Sequence, residues 1–323
     1  MAARRRDLPR RVRAIRVAID TTPLLQTRAG TARYLRGLLR HLDVTLRPVS
    51  FPATSPARSV VADTVWYPLL HARGADVLHC PTFRGPFRSR TPLVVTVHDL
   101  AVLRRPEWFN RWTRTYSRLA VPRVVRAATR VIAVSDFTKR ELVDLLGVRE
   151  DTIRVVPNAV EDVFTPEGPR AEGDYVLAVG TLEPRKNLAR VAAAVGPDVE
   201  LRVVGARGWG GVDAPPNVTW LGDVGDDELA ALYRGARCLV YASLYEGFGI
   251  PVAEALACGC PIVTSAGSAM AEFAGADAVY VDPTDVDSIR DGIERSFRPR
   301  PRRLAEWPDV AARTRAVYEE VAR

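Results

Sequence analysis

Lysine is almost missing from this sequence. Lys139 and Lys186 are the only two in 323 residues, so the net charge of +8 rests on arginine. That leaves little for chemistry that anchors a cofactor or substrate through a lysine amine. So strong an arginine bias can reflect composition as much as function, and the isoelectric point alone says little about partners. Cysteine is scarce as well: Cys80, Cys238, Cys258 and Cys260. Cys258-Gly-Cys260 has no second Cys or His pair at ligand spacing, which argues against zinc. The four read as reduced, small apolar residues. No stretch reaches the roughly 18 to 20 apolar residues of a membrane-spanning helix. The first thirteen residues carry six arginines and lack the apolar core of a signal peptide. The expectation is a cytoplasmic protein.

Three motif absences narrow the chemistry further. No Asp-x-Asp sits at a strand end where a divalent metal would be held, and Asp285-Val-Asp287 reads as helix-start capping. Gly205-Ala-Arg-Gly-Trp-Gly-Gly211 has the wrong spacing for a dinucleotide fingerprint, and Pro215-Pro216 follows in place of a helix. No nucleic-acid recognition motif accompanies the charge, so nucleic acid is not an expected partner.

What is present is a repeated alternation. Apolar residues make up 47% of the chain, enough for two cores. Ala14–Asp20, Asp76–Pro81, Pro92–Asp99 and Arg130–Val134 read as short buried strands, each ending in a polar turn. Helices are expected from Gly30 to Leu42, from Trp108 to Ala128 with a break at Pro122, and from Ser135 to Leu146. A proline-rich stretch follows, and the pattern then restarts at Tyr175. Strand–helix alternation in both halves predicts an α/β protein of two doubly wound units. The boundaries read as 1–157, a linker over 158–170, a second unit over 171–302, and a tail helix over 303–323. Arg104, Arg105, Arg111, Arg114, Arg118, Arg123 and Arg126 interleave with Trp108, Phe109, Trp112 and Tyr116. Such a mixture suits an anionic membrane surface, and equally a solvated helix with one core face.

Two segments carry the chemistry. Residues 241–264 read Tyr-Ala-Ser-Leu-Tyr-Glu-Gly-Phe-Gly-Ile-Pro-Val-Ala-Glu-Ala-Leu-Ala-Cys-Gly-Cys-Pro-Ile-Val-Thr. Glu246 falls in a loop, and Glu254 about two turns inside the next helix. The amides of Gly247, Phe248 and Gly249 lead into that helix start, a ready anion site. Residues 180–187 read Gly-Thr-Leu-Glu-Pro-Arg-Lys-Asn, which sets Arg185 and Lys186 side by side at a turn. An arginine fork and a lysine point charge suit a diphosphate, and pre-placed cations stabilise charge building on a leaving group. His98-Asp99 ends a strand on the side where open α/β sheets bind ligands. Asp99 can instead cap the turn after it. Ser135-Asp136-Phe137-Thr138 is explained by capping alone.

These segments together resemble glycosyltransferase family 4, the retaining GT-B enzymes, with the Glu-x7-Glu signature at 246–254 and an Arg-Lys-Asn motif at 185–187. The resemblance implies GT-B architecture: two Rossmann-like, doubly wound domains facing across a cleft, with a tail that crosses back to brace the first. It implies Arg185 and Lys186 on the donor diphosphate, Glu246 on the donor sugar, Glu254 on the ribose, and His98 near the reacting sugar. It places Gly30, Gly180, Thr181, Gly205, Leu221, Gly247, Phe248, Gly249 and Ile250 around the donor as well. Ala32 stands where a second glycine is frequent, and Asn158-Ala159 where Asn-Gly is frequent.

The implied activity is retaining, metal-independent transfer of a hexosyl group from a nucleoside diphosphate sugar to an acceptor hydroxyl, with no cofactor. GDP-mannose is the favoured donor, and UDP-glucose or UDP-N-acetylglucosamine the runner-up. The acceptor is a glycan, a lipid-linked glycan or a small molecule, in cell-surface glycan or glycolipid synthesis, with the protein peripheral on the inner face of the membrane. The alternatives are a catalytically silent sugar-nucleotide-binding subunit, or a related GT-B epimerase or phosphorylase.

Overall fold

Short runs rich in valine, isoleucine and leucine become the strands of two parallel sheets in the computed structural model, which describes residues 14–26, 30–50, 56–61, 74–206 and 217–322. The first sheet holds β1 (Arg16–Asp20), β2 (Thr45–Val49), β3 (Val77–Cys80), β4 (Leu93–Val97), β5 (Arg130–Ala133) and β6 (Ile153–Val155). The second holds β7 (Tyr175–Val179), β8 (Glu200–Val204), β9 (Val218–Gly222), β10 (Leu239–Tyr241), β11 (Ile262–Ser265) and β12 (Val279–Val281). Helices α1 (Thr22–Gln26), α2 (Gly30–His41), α3 (Pro56–Val61), α4 (Ala101–Arg104), α5 (Arg111–Ala127) and α6 (Asp136–Leu146) accompany the first sheet. Helices α7 (Leu188–Val195), α8 (Asp226–Gly235), α9 (Ile250–Cys258), α10 (Ala269–Ala274) and α11 (Val286–Glu294) accompany the second, and α12 (Trp307–Val321) closes the chain.

Strand order sets where a ligand can sit. The second sheet runs β9-β8-β7-β10-β11-β12 and the first β2-β1-β3-β4-β5-β6. In each sheet the winding direction reverses once, between β7 and β10 and between β1 and β3. The crevice outside the carboxyl ends of strands at such a reversal is the usual ligand position. The loops that leave β7 and β10 are 180–187, which carries Glu183, Arg185 and Lys186, and 242–249, which carries Glu246.

Several local expectations need correction. Strand β2 contains Pro48, which hid it in the sequence; it is an edge strand, where a missing amide costs no ladder bond. Helix α5 starts at Arg111, later than expected, because Asn110 caps it by accepting from the Thr113 amide at 2.8 Å. It runs through Pro122 without ending. Glu254 is the fifth residue of α9, nearer one turn than two into the helix. The proline-rich stretch after β6 is pinned: the Arg234 guanidinium donates to the carbonyls of Val163, Thr165 and Pro169 at 2.9, 2.7 and 3.1 Å.

The last helix returns to the first sheet. Trp307 packs over Gly37 of α2, and buried Tyr318 meets His79 Nδ1 at 2.7 Å. His79 Nε2 in turn meets Thr96 at 2.9 Å. Burial pushes the His79 pKa down to about 3, so the ring is neutral and both nitrogens are satisfied. A Cβ on Gly37 would stand 2.1 Å from the Trp307 ring. Gly37→Ala is therefore expected to destabilise the protein by about 1 to 3 kcal/mol through overpacking, read as a lower denaturant midpoint at unchanged slope.

Candidate active site

The loop after β7 makes a tight turn at Gly180 (φ +146°), and Gly205 beside it, after β8, has φ +134°. A Cβ on Gly205 would lie 2.5 Å from the Gly180 carbonyl oxygen, so only glycine lets these two strand ends approach so closely. Thr181, half-buried, follows Gly180. A short 3-10 turn at Pro184–Lys186 then leads to Asn187, whose left-handed backbone (φ +58°) opens α7. Asn187 donates to the carbonyls of Ala242 and Pro283 at 3.0 and 2.6 Å, which ties the 180–187 loop to the loop after β10. Asn187 of the Arg-Lys-Asn motif is thus a strut, and its two neighbours carry the charge.

Those two cations converge on one carboxylate. Glu246, buried, accepts from Arg185 Nη1 at 3.0 Å and from Lys186 Nζ at 2.6 Å on its two oxygens. Lys186 Nζ also donates to the Tyr241 hydroxyl at 2.5 Å and lies 4.8 Å from the centre of that ring. Glu183 takes the Arg185 Nε at 2.7 Å. Burial works against the Glu246 charge, yet Arg185 and Lys186 outweigh it and hold the carboxyl at about 2. Burial and the neighbouring Arg185 draw the Lys186 amine below its ordinary value against the pull of Glu246. Burial also opposes the Arg185 charge, and Glu246 with Asp99 and Glu183 overrides it, so the guanidinium stays charged.

The first lobe reaches this loop by backbone. The Gly247 carbonyl accepts from Ser135 Oγ at 2.6 Å and from Thr138 Oγ1 at 3.1 Å. A Cβ on Gly247 would be 1.7 Å from the His98 carbonyl oxygen, so the lobes meet here only because the residue is glycine. His98 Nε2 faces the Pro81 carbonyl at 3.0 Å. A carbonyl only accepts, so Nε2 carries the hydrogen and Nδ1 is left as an acceptor. Burial lowers the His98 pKa, and the Tyr34 ring meets the imidazole edge-to-face with ring centroids 4.9 Å apart. The Asp99 carboxylate caps the next turn, accepting from the Ala101 amide at 3.0 Å.

Glu254 is held by both lobes. Arg33 of α2 donates to its Oε1 at 2.7 Å, and Tyr233 of α8 to its Oε2 at 2.9 Å. Arg33 also pairs with Asp226 at 2.5 Å and lies 5.2 Å from the centre of the Phe164 ring. Below this clamp, buried Glu141 accepts from the Tyr245 hydroxyl at 3.0 Å and from Arg104 Nε at 3.0 Å, a further tie between the lobes.

The chain matches the family description Glycosyltransferase Family 4 over residues 3–164 and Glycosyl transferases group 1 over residues 160–305. An O-antigen chain mannosyltransferase B of Escherichia coli is 31% identical over 262 residues, covering 73% of this chain and 67% of that protein. The chain belongs to glycosyltransferase family 4. A MMP alpha-(1->4)-mannosyltransferase of Mycolicibacterium hassiacum is 30% identical over 71% of this chain and 65% of its own length. The chain thus spans about two thirds of these two curated relatives. Among solved structures, HepE from Anabaena, determined with UDP and glucose, superposes with a TM-score of 0.63 over 96% of this chain and 98% of that one, at 16% identity. That likeness is one of fold, and it is the GT-B fold.

In this glycosyltransferase the residues singled out from sequence gather along one cleft. Gly30 faces Ile250 across it, at 3.7 Å from Ile250 Cδ1 for a Cβ placed there. Gly180, Thr181 and Gly205 lie at the ends of β7 and β8, with Leu221 near the end of neighbouring β9. Gly247, Gly249 and Ile250 lead into α9, and Gly249 (φ +93°) is forced to be glycine by Met270, 2.5 Å from a Cβ there. Phe248 is the exception, because its side chain stacks on Phe273 in the core at 4.9 Å and leaves only its backbone to the cleft. Arg185 and Lys186, expected on a donor diphosphate, are ion-paired with Glu246 in the structure because desolvation penalises unpaired charge. Sequence reasoning missed Arg33, Tyr233, Tyr241, Tyr245 and Glu141. Arg33 had a signal, one turn into the helix opened by Gly30. The others are tyrosines and a glutamate in amphipathic helices or at strand ends, where a core role reads the same.

Burial is the largest influence on Glu254 and raises its carboxyl from 4.5 to about 7, against the pull of Arg33 and Tyr233. Between those values the unfolded chain has lost the proton that the native protein keeps, so stability falls as pH rises. Relative to Glu254→Gln, the native protein is expected to lose roughly 3 kcal/mol between pH 4.5 and pH 7.5 in denaturant unfolding. Parallel pH profiles for the two proteins would rule out this titration.

Proposed function

We propose that this protein moves a hexosyl group, mannose from GDP-mannose in first place, from a nucleoside diphosphate sugar to an acceptor hydroxyl with retention at the anomeric carbon. The observation that carries the reading is the pair Arg185 and Lys186, closed on Glu246 where the winding of the second sheet reverses. Donor binding exchanges partners: the diphosphate takes the two cations, and Glu246 turns to the donor hydroxyls. Glu254 exchanges Arg33 for the ribose hydroxyls. The bond from the anomeric carbon to the phosphate oxygen breaks as the acceptor oxygen bonds to that carbon from the same face. The acceptor proton passes to the leaving phosphate oxygen. Arg185 and Lys186 neutralise the negative charge that builds there, which is the task a metal ion performs elsewhere, so no metal is required. His98, neutral with Nδ1 as an acceptor, orients a sugar hydroxyl and is no acid.

The names of the O-antigen and MMP relatives support mannose, and that of the O-antigen enzyme supports cell-surface glycan synthesis. The UDP and glucose bound to HepE support a UDP-sugar as the second choice. Among the described residues no helix is long and apolar enough to cross a membrane. Helix α5 turns Arg111, Arg114, Arg118, Arg123 and Arg126 outward beside exposed Trp112 and Leu119, which supports peripheral contact with an anionic membrane from the cytoplasmic side.

A panel of nucleotide sugars screened for thermal stabilisation is expected to single out GDP-mannose. Arg185→Ala and Lys186→Ala are each expected to reduce turnover by about 100- to 1000-fold, with the fold kept by circular dichroism. Turnover is expected to survive a chelator. Wild-type turnover in the double variant would remove both cations from the reaction, and loss of turnover with chelator, restored by a divalent ion, would overturn metal independence.

A further inference from the structure

Helix α5 does not close fully on its lobe. Between it, α4 and the loop after β3 lies a cavity of about 360 Å3, at the lower end of the roughly 300–1,000 Å3 of small-molecule sites. Its walls are Phe83, Val102, Phe109, Trp112, Tyr116 and Ala120. The α5 residues among them, with Thr113, Ser117 and Val121, form the helical stripe that would ordinarily be buried against a core. Here that stripe borders open space.

One end of the cavity carries Asp99, Glu183 and Arg185, so it opens on the charged cluster that grips Glu246. Trp112, which lines the cavity too, stacks on Tyr116 with ring centroids 5.5 Å apart and is still 43% exposed. Leu119 lies seven residues further along the same helix edge, roughly 10 Å away along the axis, and is 55% exposed. Arg111, Arg114 and Arg118 flank this apolar track.

We propose that the cavity seats the hydrocarbon chain of an amphipathic acceptor. The reacting hydroxyl lies at the Asp99–Arg185 end, and the chain runs between Val102 and Ala120 and leaves over Trp112 toward Leu119. The proposal rests on the glycosyl-transfer reading and names its acceptor class. Arg84, Thr113 and Ser117 contribute polar groups, but the surface between them is apolar. A ligand bearing hydroxyls on every carbon would lose water there without replacing its hydrogen bonds. A hydrocarbon chain loses nothing comparable and gains the burial.

The test uses the full-length chain and n-alkyl α-mannosides from methyl to decyl, below their micelle concentrations, read both as binding by calorimetry and as acceptors. Affinity is expected to rise roughly threefold per methylene over the first several carbons and then to level off. Ala120→Trp, which fills the cavity, is expected to abolish the chain-length dependence, and the smaller Ala120→Leu to shorten it. Nucleotide-sugar stabilisation of both variants reports that the fold is kept. Affinity independent of chain length, or a dependence unchanged in Ala120→Trp, would overturn the proposal. Failure of every nucleotide sugar to bind the unaltered protein would instead sink the glycosyl-transfer reading, and chain-length binding would then be judged by calorimetry alone.

Discussion

The structure turns on a buried carboxylate that two adjacent cations hold at the reversal point of a parallel sheet. Removing Glu246, Arg185 and Lys186 from water is costly, and the carboxylate offsets that cost by sitting within hydrogen-bonding distance of both cations. The neighbouring groups support that arrangement. Tyr241 gives Lys186 a further partner, Glu183 occupies the remaining edge of Arg185, and Asn187 fastens the turn that presents both cations. A site built this way is selective, since only a ligand that replaces the carboxylate with equal or greater negative charge leaves nothing buried and unpaired. The nucleoside diphosphate sugar proposed above has the charge to meet that condition at the cations, and hydroxyls to offer the acids they release.

The same economy governs the contact between the lobes. A backbone approach that a single Cβ would block at Gly247 brings the loop after β10 of the second sheet against the His98 carbonyl at the end of β4 in the first. Side chains then bridge the lobes: Ser135 and Thr138 to the Gly247 carbonyl, Arg33 to Glu254, and Tyr245 to Glu141. Two of these bridges use residues expected at the donor, Gly247 and Glu254, and the third uses Tyr245, next to Glu246. Glu254 therefore belongs both to the proposed donor site and, through Arg33, to the contact between the lobes. The tail helix, with Trp307 over Gly37 and Tyr318 on His79, fixes the chain end to the first lobe after it has built the second.

Much of this was legible in the residues. Val17–Asp20 and Leu93–Val97 could only be buried strands, and Gly-Thr-Leu-Glu-Pro-Arg-Lys-Asn and Glu-Gly-Phe-Gly-Ile-Pro-Val-Ala-Glu announce tight turns loaded with charge. Strand β2 was hidden because Pro48 breaks a pattern that only its edge position excuses. The start of α5 was blurred because apolar Trp108 and Phe109 continue the helical period past the Asn110 cap. Arg33 falls on the helix expected from Gly30, and nothing local says that it pairs with a residue 221 positions away.

The sequence by itself determined the alternation of elements, the family, and which side chains are chemically equipped for a diphosphate and a sugar, because periodicity, turn chemistry and charge spacing are local properties. Only the tertiary structure decided how those groups are paired. Arg185 and Lys186 could have faced solvent, and Glu254 could have been an ordinary ionised carboxylate. Burial made unpaired charge expensive and so drove Glu246 onto the cations, Arg33 across the cleft onto Glu254, and the Glu254 carboxyl toward neutrality. The cavity under α5 is likewise beyond any local pattern, since an apolar stripe on a helix looks the same whether it meets a core or an open space.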